Sequence, residues 1–148
     1  MQPSLETKGH RILVVEDDPM MLELICTRLT LAGYRTAHAR DGHEGLDRLR
    51  DQKFDAMVLD INMPRLDGFG VLRQMKVIGN RTPTMVLTAR NQTADVQQAI
   101  QLGARDFLSK PFEDQRLLSR IARLTRPAPV RQQPPQSRPP SQPSRIIW

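Results

Sequence analysis

The chain is poor in the residues that staple a fold or decorate its surface. One cysteine excludes a disulfide framework and a thiolate metal cluster. Cys26, set among Leu24, Ile25 and Leu29 at helical spacing, is expected to be a buried, unpaired thiol. Aromatic residues are scarce: four Phe, one Tyr and one Trp. No apolar run nears the roughly 18 residues of a membrane span, and residues 1–8 lack the apolar core of a secretory signal. A soluble, cytoplasmic protein without membrane insertion is the expectation. His10, His38 and His43 lack metal-ligand spacing and are expected to be surface or incidental residues. Seven methionines, including Met20, Met21, Met57, Met63, Met75 and Met85, mostly occupy apolar positions and read as core filler.

Acidic residues are missing altogether from one region. Of the net charge of +6, residues 126–148 carry +4 through Arg126, Arg131, Arg138 and Arg145, leaving +2 for the other 125 residues. The same segment holds Pro127, Pro129, Pro134, Pro135, Pro139, Pro140 and Pro143, seven of the twelve prolines. Such a segment neither continues a helix nor enters a sheet interior, and on its own it is expected to be extended and mobile. A length of 148 residues suits one domain plus a tail. The boundaries follow from where apolar periodicity is regular: a flexible N-terminus over 1–8, one domain over 9–125, and a Pro/Arg-rich tail over 126–148.

Within the domain, short apolar runs alternate with amphipathic stretches. Ile12 to Val15, Tyr34 to Ala39, Ala56 to Asp60, Thr84 to Thr88 and Asp106 to Ser109 read as strands. Helices are predicted from Asp18-Pro19 to Gly33, from Asp41-Gly42 through Arg50, from Gly68 to Lys76, from Thr93 to Leu102 and from Glu113 to Leu124. Strands that alternate with helices imply an α/β fold, a doubly wound five-stranded parallel sheet with helices on both faces.

In such a sheet ligands bind beyond the carboxyl ends of the strands. Those ends carry Glu16-Asp17-Asp18, Asp60, Thr88 and Ser109-Lys110. Converging carboxylates need a counter-charge, and hard oxygen ligands suit Mg²⁺. Lys110 would pair with a carboxylate or with an incoming phosphoryl oxygen. Asp18 before Pro19 is expected as a helix cap rather than a ligand. Asp67-Gly68 is read as a turn and helix start, and Asp95 and Asp106 as merely solvated.

Taken in order, Glu16-Asp17 after Ile12-Leu13-Val14-Val15, Asp60 in Leu59-Asp60-Ile61-Asn62-Met63-Pro64, Asp67-Gly68, Thr88-Ala89 and Lys110-Pro111 resemble the receiver domain of bacterial two-component response regulators, the CheY-like family. The resemblance covers residues 9–125. It implies a flavodoxin-like sheet of strand order 2-1-3-4-5 and a phosphoacceptor at Asp60. It also implies Mg²⁺ held by Glu16, Asp17, Asp60 and the Asn62 carbonyl, with Thr88 and Lys110 contacting the phosphoryl oxygens. Lys110-Pro111 resembles the family's cis peptide. Thr88 and Phe107 stand at the switch positions, and Phe107 has no hydroxyl to bury when it turns inward. The implied protein is not an enzyme but a signalling module that receives its phosphoryl group from a histidine kinase or phosphotransfer protein.

The tail is too short and proline-rich for a helix-turn-helix module, which disfavours specific DNA binding. Arg131, Arg138 and Arg145 recur at intervals of seven, Trp148 follows, and Arg116, Arg120 and Arg123 form a basic stripe leading into Arg126. Guanidinium pairs bidentately with phosphate and with guanine, and Trp stacks on bases. A peptide of this kind suits a compact, guanine-rich anion such as cyclic di-GMP. The combination resembles the CheY-like cyclic di-GMP effectors with an arginine-rich tail, which implies docking on a flagellar motor switch protein, recruitment to the motor, and tuning of motility or surface attachment. A solvated linker, a Pro-rich ligand at Pro140-Ser141-Gln142-Pro143 and a non-specific RNA binder remain open for the same segment. Two functions therefore stand side by side: a phosphorylation-driven receiver, and a second-messenger effector whose switch is the tail.

Overall fold

The structure, a computed structural model, describes residues 9–89 and 92–126. Arg131, Arg138, Arg145 and Trp148 lie outside the described residues. Five strands, β1 (Arg11–Val15), β2 (Arg35–Ala39), β3 (Ala56–Asp60), β4 (Thr84–Ala89) and β5 (Asp106–Lys110), alternate with α1 (Pro19–Leu31), α2 (Gly42–Asp51), α3 (Gly68–Ile78), α4 (Thr93–Gln101) and α5 (Asp114–Thr125). All pairings are parallel, in the order β2-β1-β3-β4-β5. This is the flavodoxin-like arrangement expected.

The helix starts follow from short carboxylates. Asp18 accepts from the Met20 amide at 3.0 Å, Asp41 from Glu44 at 2.8 Å and Asp67 from Gly70 at 2.8 Å. Each cap satisfies an amide that the helix itself leaves unpaired, an effect of about 1 kcal/mol. Helix α3 runs two residues past the expected Lys76 and stops where Gly79 turns left-handed at φ 71°. That conformation costs glycine nothing. Helix α5 begins at Asp114 rather than Glu113, whose side chain makes no capping bond.

Alternation along the strands divides the core. Leu13, Val15, Met57, Leu59 and Val86 face Leu46, Leu49, Val71, Leu72, Met75 and Ala99 of α2 to α4. Ile12, Val14, Val58, Met85 and Leu87 face Leu22, Ile25 and Leu29 of α1 and Leu117 and Ile121 of α5. Several sequence expectations are corrected here. Met20 is 80% exposed, because the inward stripe of α1 runs through Leu22, Ile25 and Leu29 and leaves Met20 on the other face. Cys26 is free but only half-buried, and its thiol meets Thr36. Apart from these corrections, His10 is half-buried and stacks on Tyr34 with ring centroids 6.5 Å apart.

Gly68 is the point where α3 touches the loop after β3. A Cβ there would lie 2.7 Å from the Asp60 carbonyl oxygen and 2.7 Å from the Ile61 Cα, both backbone atoms that cannot step aside cheaply. Gly68→Ala is therefore expected to destabilise the domain by about 2 kcal/mol. Urea titration reads the change, and an unaltered midpoint would refute the tight approach.

Candidate functional site

Two strand ends deliver the acidic rim. Glu16 follows β1, Asp17 follows it into the loop, and Asp60 closes β3. One carboxylate oxygen from each lies within 4.8 Å of the others. Glu16 and Asp60 are 1% and 4% exposed, whereas Asp17 faces solvent. Lys110, at the end of β5, sends its Nζ to Glu16 Oε2 at 3.0 Å and to Asp60 Oδ2 at 3.3 Å. The Lys110–Pro111 peptide is cis. The other Asp60 oxygen accepts the Asn62 amide at 3.2 Å, so Asn62 meets the site here through its backbone N–H. Thr88, near the end of β4, is 2% exposed and its hydroxyl has no hydrogen-bond partner among the described residues. An orphaned buried hydroxyl costs about 1–3 kcal/mol, which marks a place where a partner oxygen is wanted.

Charge balance explains what the cluster is suited to hold. Burial, and then the Asp60 charge, push the Glu16 carboxyl up from 4.5 to about 7, against the opposing pull of Lys110. Burial alone would lower Lys110, but Asp60 and Glu16 outweigh it and hold the ammonium above its usual value. One lysine thus pairs with two of three clustered carboxylates, and the donors are all oxygen, which fits a hard divalent cation such as Mg²⁺.

Other expected positions are less available than their sequence suggests. Arg120 does not belong to an open cationic stripe: its Nη1 donates to Asp106 Oδ1 at 2.6 Å, and its guanidinium carbon lies 5.8 Å from the centre of the Phe107 ring. Asp106 is accordingly a paired residue and also accepts the Phe107 amide at 2.8 Å. Phe107 points outward, 37% exposed, beneath Arg120. Arg116, Arg123 and Arg126 are exposed and make no ion pair among the described residues. Sequence reasoning also missed Arg65, which adopts φ 68° in the loop after β3 and reaches Asp41 at 3.5 Å. Nothing in its local sequence signals a left-handed residue.

The sign of the Glu16 shift sets a pH dependence. Between pH 4.5 and about 7 the folded protein holds a proton that the unfolded chain has released. Metal-free stability should therefore fall as pH rises through that window, by about 3 kcal/mol, and level off above it. Lys110 contributes in the same sense, but only at the alkaline end: its share is present below pH 10.5 and is lost as pH climbs through its raised value. Thermal melts of the native chain and Glu16→Gln test the first window. The variant should lose the slope, and Mg²⁺ should raise the native melting temperature more at pH 8 than at pH 5, where a proton competes for Glu16. A native slope retained by the variant would refute the assignment.

Comparison with known proteins agrees with this geometry. Residues 12–122 match the family model "Response regulator receiver domain". The response regulator MprA of Mycolicibacterium vanbaalenii is 43% identical over 116 residues, covering 78% of this chain and 50% of the relative. MprA of Mycobacterium avium is likewise 43% identical over 116 residues, 78% of this chain and 51% of that protein. The chain spans about half the length of these curated relatives. Among solved structures, the receiver domain of Francisella response regulator 1452 superposes with a TM-score of 0.74 at 31% identity, over 78% of this chain and 96% of that one. The chemotaxis protein CheY4 of Vibrio cholerae does so with a TM-score of 0.74 at 29% identity, over 78% and 98%. With its acidic rim, lysine and buried threonine set on a 2-1-3-4-5 sheet, the chain belongs to the response-regulator receiver-domain family.

Proposed function

We propose that Asp60 accepts a phosphoryl group from a phosphohistidine on a histidine kinase or phosphotransfer protein, and that the modified domain then acts by binding a partner rather than by turning over a metabolite. The observation that carries this reading is the buried Asp60 carboxylate bridged by Lys110 to Glu16. In the transfer an Asp60 oxygen bonds to phosphorus, the phosphorus–nitrogen bond breaks, and the imidazole leaves with a proton. The step asks for in-line placement and neutralised charge more than for a strong base. Magnesium, held by Glu16, Asp17, Asp60 and the Asn62 carbonyl, would supply positive charge at the transferring oxygens. Lys110 stands ready to follow the charge from Asp60 to the phosphoryl group, because its Nζ already lies within 3.3 Å of that carboxylate. Thr88 offers its unpaired hydroxyl to a phosphoryl oxygen.

Two substitutions separate these roles. Asp60→Asn should abolish formation of a base-labile acyl phosphate, read by radiolabel transfer from a phosphohistidine donor. Thr88→Val removes a buried donor that has no acceptor, so it should stabilise the unphosphorylated protein by about 1 kcal/mol while shortening the lifetime of the phosphorylated form. Label retained by Asp60→Asn would sink the phosphoacceptor reading.

A second reading is favoured by the α5 surface. Arg116 and Arg123 stand seven residues apart, exposed and unpaired among the described residues, and lead to Arg126. With Arg131, Arg138, Arg145 and Trp148 they form a set suited to cyclic di-GMP, and the loaded protein would dock in the cytoplasm on a flagellar motor switch protein and tune motility or surface attachment. Arg120, engaged by Asp106, is withdrawn from that set. Calorimetry of the full chain with cyclic di-GMP, and with GTP as control, tests it. Binding of the cyclic dinucleotide alone, lost in an Arg131→Ala, Arg138→Ala, Arg145→Ala triple variant and kept in Asp60→Asn, is the expected result. Equal heats for the two nucleotides, or none, would reject it.

A further inference from the structure

The opposite edge of the sheet carries a feature that phosphoryl transfer does not use. A cleft of about 390 Å³ opens between the C-terminal ends of α3 and α4, at the amino ends of β4 and β5. Its inner wall includes Leu72 and Met75, 3% and 4% exposed, together with Leu102. Its rim carries Lys76, Arg81 and Arg105, and no carboxylate lines it. Neither arginine forms an ion pair among the described residues. Lys76 is held in place, since its Nζ donates to the Gln101 carbonyl at 3.1 Å and its Cε lies 3.6 Å from where a Gly103 Cβ would stand. A second depression of about 350 Å³ adjoins across Arg81, adds Lys53, and again contains no acid.

Three cations share one concavity; the Gln101 carbonyl partly compensates Lys76, but no acidic side chain on the walls offsets Arg81 and Arg105. An anion seated between them would do so, and charge-assisted bonds to guanidinium are the strongest that side chains form with phosphate oxygens. Leu102, partly exposed at the cleft, adds a preference for an anion that carries an organic body, and the volume falls within the range of small-molecule sites. We propose that this cleft binds a small phosphate monoester of mononucleotide size, its phosphate on Arg81, Arg105 and Lys76 and its body on the side of Leu102. The site is separate from the Asp60 rim: Thr84 lies against the cleft and Thr88 near the rim, about 13 Å apart along β4 at ~3.3 Å per residue. It is separate also from the arginines of the tail.

The test is a titration of the full chain with adenosine 5′-monophosphate, inorganic phosphate and uncharged adenosine, followed by amide chemical shifts and calorimetry. The expected result is saturable binding of the monoester, with shifts centred on residues 76–84 and 102–105. Inorganic phosphate should bind more weakly, and adenosine not measurably. An Arg81→Glu, Arg105→Glu double variant should lower the affinity at least about tenfold while Asp60 is still phosphorylated from acetyl phosphate and Mg²⁺, which shows that the fold and the rim are intact. The Arg131, Arg138, Arg145 triple variant should bind the monoester normally. No saturation at millimolar ester, affinity unchanged in the double variant, or inorganic phosphate binding as tightly as the ester would each overturn the proposal.

Discussion

A single ammonium group holds the rim of this sheet together. Two carboxylates, Glu16 and Asp60, are almost wholly withdrawn from water and face each other across a gap that Lys110 spans. Isolated buried charges are expensive, and breaking such an arrangement by removing one partner costs several kcal/mol. The rim nonetheless gathers three carboxylates around one cation, which pairs with two of them, and burial followed by the Asp60 charge raises the Glu16 carboxyl. A cluster of oxygen donors left short of positive charge in this way suits a hard divalent cation.

Why the charges meet there is a matter of topology. Glu16, Asp60 and Lys110 are 94 residues apart at the extremes, yet they end strands β1, β3 and β5 of one parallel sheet. Parallel pairing points every carboxyl end the same way, so functional groups gather along one edge. The opposite edge gathers the loops that precede the strands, and Arg81 and Arg105 come together there for the same reason. One end of the sheet is thus rich in acids around a lysine, and the cleft at the other is lined by cations without an acid. The chain's net charge is a poor guide to either.

Much of this was readable beforehand, and the reasons are local. The apolar run of Ala56 to Asp60 matches β3 residue for residue, because a strand buried on both faces shows no alternation and stops at its first carboxylate. Asp18, Asp41 and Asp67 announced their helices because capping is decided within three or four residues. The misses involve partners distant in sequence. Asp106 looked idle and Arg120 looked free, yet β5 and α5 pack so that the two pair at 2.6 Å and hold Phe107 outward between them. Met20 looked apolar enough for the core, but a shift of two positions around α1 from Leu22 puts it in solvent.

Sequence alone determined the order and kind of the elements, the caps that start them and the identity of the acids and the lysine at the strand ends. Those depend on side-chain chemistry acting over one or two turns or along one strand. Only the tertiary structure decided which charges are paired and which left wanting: that Glu16 shares Lys110 with Asp60, that Thr88 is buried with no acceptor, and that three cations surround a cleft without an acid. Electrostatic satisfaction depends on distance and burial, and both are set by packing between segments that the linear chain keeps far apart.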